Sequence, residues 1–146
     1  PDACHCTDAA VERYLRKLSG PVVDRVDLHV GLSPVPYSDL VRARPAESSA
    51  TVRKRVTRAR ERQQDRGQTV PNAQFDASDL ARHASLGARA RVLLERGAEQ
   101  HRMSARGMTR TVKVARTLAD LDGCDEVGAD HIAGALVFRQ TSLVSP

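Results

Sequence analysis

Between Ser104 and Gly123, the apolar residues Met108, Val112, Ala115, Leu118 and Ala119 return at helical spacing, the mark of a helix with one buried face. Ser104 stands where an N-cap is needed and Asp122-Gly123 where a helix stops, so the spacing predicts a helix over 105–121. This segment constrains the fold because the face it must bury is aliphatic and narrow. Aromatic residues make up 3% of the chain and tryptophan is absent. The core therefore has to come from Leu, Val, Ala and a few Ile and Met, packed helix on helix.

Other helices are predicted by the same logic. Thr7 can cap a helix over 8–18 with Val11, Tyr14, Leu15 and Leu18 on one face, ended by Ser19-Gly20-Pro21. Tyr37 to Val41 suits one helical turn. Ser48 or Ser49 opens a long polar helix to Asp65, with a thin stripe of Val52, Val56 and Ala59, and Gly67 stops it. Residues 68–74 suit a loop. Helices follow over 78–84, over 86–100 with Ala90, Leu93 and Leu94 inward, and over 129–138 with Ile132, Ala135 and Leu136 inward; the tail from Gln140 is expected to fray. Only Val26 to Val30 alternates apolar residues with Asp27 and His29, the period of a half-buried strand. A single strand cannot pair its own backbone groups, so this chain is expected to be a piece of something larger. The expected fold class is mainly α: a helical bundle over 46–146, preceded by a short α/β remnant over 1–45.

The chain has 146 residues and a net charge of +5, enough for one ordinary domain. Nine basic residues between Arg42 and Arg66 face only Glu47, Glu61 and Asp65, so one segment carries the excess charge. Arg53, Arg55, Arg58 and Arg62 in it are candidate contacts for nucleic-acid phosphate, although no aromatic stacking residue interleaves them. A solvated helix face is the competing account. Three cysteines, two of them in Cys4-His5-Cys6, make no disulfide framework; a reducing, cytoplasmic setting is expected. Two thiolates do not complete a tetrahedral site, so no metal is assigned. No run approaches the roughly 18 apolar residues of a membrane span, and Pro1-Asp2 opens no leader pattern. The lysines are Lys17, Lys54 and Lys113, and none follows a glycine. The chain thus holds no phosphate-binding loop of the G-x-x-x-x-G-K-[ST] kind.

Four stretches carry a resemblance: Cys4-His5-Cys6-Thr7, the run YLRKLSGPVVDRVDLHV from Tyr14 to Val30, Glu47-Ser48-Ser49, and Arg106 to Gly123. Together they resemble the C-terminal part of a magnesium-chelatase-like AAA+ ATPase of the ComM/YifB type. The resemblance implies an α/β nucleotide-binding core followed by a helical lid. It also implies homo-oligomeric rings, hexamers in the family, with ATP and Mg²⁺ held between neighbouring subunits. ComM-like motors are thought to act on branched DNA, and chelatase relatives drive metal insertion into a porphyrin. Arg25 lies where such families place the arginine finger, which acts in trans on the neighbour's γ-phosphate. Arg106 aligns with the lid arginine called sensor 2, with Arg110 and Lys113 as further phosphate contacts. Similar proteins carry another cysteine pair upstream of the position of Cys4 and Cys6. The expected partners are an upstream AAA+ core, neighbouring subunits and DNA; the isolated chain is expected to bind no cofactor and hydrolyse no ATP.

Residue by residue, other readings stay open. Arg106, Arg110, Lys113 and Arg116 can equally be the solvated side of one helix, and Asp24 and Asp27 can hold Arg25 in salt bridges. His29 suits a surface or interface position. For the whole chain, the alternative is a free-standing basic helical module that binds nucleic acid.

Overall fold

The computed structural model describes residues 5–15, 17, 25–41 and 46–140. Its elements are α1 (Asp8–Leu15), α2 (Tyr37–Val41), α3 (Ser49–Asp65), a 3₁₀ turn (Asn72–Gln74), α4 (Ala77–His83), α5 (Ala88–Gln100), α6 (Ala105–Leu121) and α7 (Ala129–Gln140). The fold is mainly α, as the periodicity requires.

Local chemistry sets the helix ends. The Ser48 hydroxyl accepts from the Thr51 N–H and the Ser104 hydroxyl from the Gly107 N–H, each satisfying one orphan donor of its first turn. At α4, Asp76 and Asp79 form a reciprocal capping box. Gly67 and Gly123, both at φ +75°, turn the chain out of α3 and α6 through the left-handed region.

Helices α5, α6 and α7 enclose the core of Ala90, Leu94, Ala115, Ala119, Val127, Ile132, Ala135 and Leu136. Alanine at so many facing positions lets the helices come close. A Cβ added at Gly97 would stand 2.7 Å from Leu136 Cδ1, so α5 meets α7 at a spot where only glycine leaves room. A parallel bridge, Leu86 to Val127, ties the loops entering α5 and α7. The Val127 N–H donates to Ser85 O and the Gly87 N–H to Val127 O.

Two expectations differ from the structure. Residues 26–30 form no strand and bend at Asp27, and among the described residues the Leu86–Val127 bridge is the sole β pairing. Along this segment the polar side chains turn toward the bundle: His29 is buried and Asp27 half-buried, while Val26, Leu28 and Val30 are 42, 49 and 60% exposed. Alternation correctly marks two faces, but the apolar one looks outward. The stripe of α3 also buries less than its pattern suggests. Ala59 is buried while Val52 and Val56 stay on the surface, because α3 meets α6 through its C-terminal half. Val11 and Tyr14 of α1 are likewise exposed. Residues 1–4, 16, 18–24, 42–45 and 141–146 fall outside the description, and with them Cys4, Asp24 and the predicted C-terminal half-turn of α1.

Candidate functional site

Arg25 occupies a turn and is exposed; Arg106 is the second residue of α6 and is also exposed. Neither makes an ion pair with a described residue. The Ser104 cap takes up the Gly107 N–H, leaving the first two N–H groups of α6, at Ala105 and Arg106, facing outward as helix geometry dictates. Partial positive charge from the helix end and the guanidinium of Arg106 therefore lie together, an arrangement suited to an anion.

The other basic residues of α6 have different roles. Arg110, one turn beyond Arg106, is half-buried and pairs with Asp27 of the 26–30 segment. Asp27 thus grips α6 instead of bracing Arg25, and His29, expected at a surface or an interface, is buried with its backbone N–H donating to Phe138 O of α7 at 2.9 Å. Lys113 reaches across to Ala73 O at 3.2 Å. Arg116 is fully buried, so the four cations do not form one solvated face.

Arg116 belongs to a polar cluster that the sequence reading missed. Its Nε and one terminal nitrogen contact Asp120 Oδ1 at 3.1 and 2.9 Å, and the guanidinium also donates to the carbonyls of Cys124 and Asp125. Arg66 donates to the same oxygen of Asp120 at 2.7 Å; Gln63 and Asn72 donate to Oδ2 at 3.1 and 2.8 Å. One carboxylate therefore fastens the end of α3, the 3₁₀ turn and α6. Burial pushes the Asp120 carboxyl up, but the hydrogen bonds from Asn72 and Arg66 and the charges of Arg116 and Arg66 outweigh it and hold the group below its ordinary value. Burial lowers Arg116, against the pull of Asp120; a guanidinium stays charged regardless. The available signal was the i, i+4 spacing of Arg116 and Asp120, with Asp120 next to core Ala119.

On α3, Arg53 and Arg58 border an open groove with Ser49, Lys54, Thr57 and Glu61. Arg55 is held by both oxygens of Glu47 at 2.8 and 3.2 Å, and Arg62 by Asp125. Among the described residues, no three His, Cys, Asp or Glu side chains converge as metal ligands, and Cys6 and Cys124 are exposed thiols. No described helix is long and apolar enough to cross a membrane.

The profile described as magnesium chelatase, subunit ChlI C-terminal, matches residues 46–139, and that of magnesium chelatase, subunit ChlI, matches residues 1–40. An uncharacterised protein of Mycobacterium tuberculosis is 39% identical over 144 residues, which is 97% of this chain and 28% of that protein. The uncharacterised protein YifB of Escherichia coli is 38% identical over 136 residues, 92% of this chain and 26% of its own length. Competence protein ComM of Haemophilus influenzae is 35% identical over 130 residues, 88% of this chain and 25% of its own length. The chain spans about a quarter of the length of these relatives. It belongs to the magnesium-chelatase-like family of ComM and YifB, and its residues 46–139 are that family's ChlI C-terminal region.

Proposed function

We propose that this chain is the C-terminal part of an ATP-driven ring motor, in which residues 46–146 form the helical lid and residues 1–45 the end of the nucleotide-binding core. In this reading Arg25 is the arginine finger acting in trans, and Arg106 contacts γ-phosphate as the charge on its oxygens develops. ATP and Mg²⁺ are held by upstream residues and by neighbouring copies in a homo-oligomer. DNA is the substrate proposed for the motor, in line with the resemblance to ComM-type proteins.

One observation carries the reading: Arg25 and Arg106 are exposed and unpaired with described carboxylates, while Arg110 and Arg116 are engaged. A guanidinium fork without an acidic partner is available for a phosphate. The half-exposed apolar side chains of 26–30 support the same reading, since they suit packing against further residues of a larger polypeptide.

The test uses the longer polypeptide that carries this chain. Arg25→Ala is expected to lower ATP turnover by about 10³-fold or more, the effect of losing a finger. Mixing that variant with subunits altered in the phosphate loop should restore part of the rate, because a finger serves its neighbour. Turnover within a few-fold of the unaltered protein would remove Arg25 from the reaction.

A further inference from the structure

We infer that Asp27 is a positioning residue: it fastens the segment bearing Arg25 to α6, so that Arg25 and the first turns of the bundle's central helix travel as one body. The inference rests on the proposed role of Arg25 only for its consequence, since the tether can be measured without nucleotide.

Val26, Leu28 and Val30 are 42, 49 and 60% exposed, so their side chains attach residues 25–30 to the bundle only in part. What reaches inward is polar. Asp27 pairs with Arg110 of α6, and both partners are largely shielded, at 39 and 26% exposure. Two residues later, the His29 N–H donates to Phe138 O near the end of α7 at 2.9 Å. The two ties therefore run to two different helices, and those helices pack on each other through the core. A segment held at both residue 27 and residue 29 cannot pivot freely about either point.

Arg25 lies two residues before the first tie. Two residues of extended chain span at most about 7 Å, so its backbone stays within that radius of the Asp27 anchor. Arg110 in turn is one helical turn from Arg106, on the same side of α6. Asp27 thus links the segment of one proposed phosphate contact to the helix of the other. Any rotation of the bundle moves both arginines together, and the charge at position 27 helps transmit it: without the carboxylate, the attachment falls to the backbone bond at residue 29 and the buried His29 side chain.

The experiment is amide hydrogen exchange on the full 146-residue chain, read at the His29 N–H. Asp27 is not adjacent to that amide, so substituting it leaves the intrinsic exchange chemistry there nearly unchanged. Asp27→Asn and Arg110→Gln should each speed His29 exchange by about five-fold, the equivalent of a partly shielded ion pair worth about 1 kcal/mol. Core amides at Ala115, Ala119 and Ile132 should stay within about two-fold. Asp27→Glu keeps the charge and should retain protection, and the exchange of charges in Asp27→Arg with Arg110→Asp should restore it. An unchanged His29 rate in both single variants overturns the tether, as does an equal rise at the core amides or a failure of the charge exchange to restore protection. Such a result leaves the proposed role of Arg25 standing; failure of the turnover test removes that role and leaves the tether.

Discussion

Asp120 takes hydrogen bonds from Gln63, Arg66, Asn72 and Arg116 with no solvent exposure of its side chain. Deleting the carboxylate would strand the buried guanidinium of Arg116. Asp120→Ala is therefore expected to cost about 3–5 kcal/mol, the usual penalty for removing one member of a buried pair, as read by urea unfolding. The pH dependence follows from the direction of the shift. Asp120 titrates lower in the folded chain than in the unfolded one, so its contribution is complete above the unfolded carboxylate range, about pH 4. It is lost as pH falls through the lower folded value. The stability gap between the wild type and Asp120→Asn should be constant from pH 7 to about 5 and narrow below about 4; a gap that widens on acidification would contradict this account. Only the i, i+4 spacing of Arg116 and Asp120 was legible beforehand. Arg and Asp are usually solvated, and only the folded chain brings together donors from residues 63, 66, 72 and 116.

Among the elements, α6 was legible to the residue: the expected 105–121 is the observed Ala105–Leu121. Three independent signals coincide there: a cap at Ser104, an apolar period and a stop at Asp122-Gly123. Ser104→Ala should cost about 1 kcal/mol, the typical worth of an N-cap, measured as a lowered Tm. Residues 26–30 show the opposite case. Their alternation marks two faces, but periodicity does not say on which side the partner lies, and here the polar side meets the bundle. The α5–α7 crossing was also unreadable, since a glycine within a helical pattern does not announce a close approach. Gly97→Val would push a side chain into Leu136, where the added Cβ alone has 2.7 Å. Overpacking of this kind costs about 1–3 kcal/mol, and Leu136→Ala in the same chain should recover part of it. If Gly97→Val melts at the wild-type temperature, the crossing is looser than described.

At the scale of the molecule, the positive charge is concentrated on α3, whose residues 49–58 are all exposed. Yet Arg55 and Arg62 already hold Glu47 and Asp125, leaving Arg53, Lys54 and Arg58 as the groove's available cations. DNA binding by the chain alone should therefore be weak. Its log K should fall against log salt with a slope no steeper than about −3, given about 0.9 per neutralised phosphate. A slope near −4.5 in filter binding would mean that Arg55 and Arg62 are released, and would favour the stand-alone nucleic-acid module. With no phosphate-binding loop in the sequence, the chain alone should also give only background phosphate release with ATP; turnover above background would contradict the proposed division of labour. The sequence was legible here in net charge and blind to which arginines are already spoken for.

The Asp120 cluster has a calorimetric consequence. Unfolding this domain wets a small aliphatic interior together with a sizeable set of amide, carboxylate and guanidinium surfaces. Exposing apolar area raises heat capacity and exposing polar area lowers it, so the increment per residue should fall below the usual ~12–15 cal/mol/K. The free-energy curve is then broad and shallow, and cold denaturation moves well below freezing.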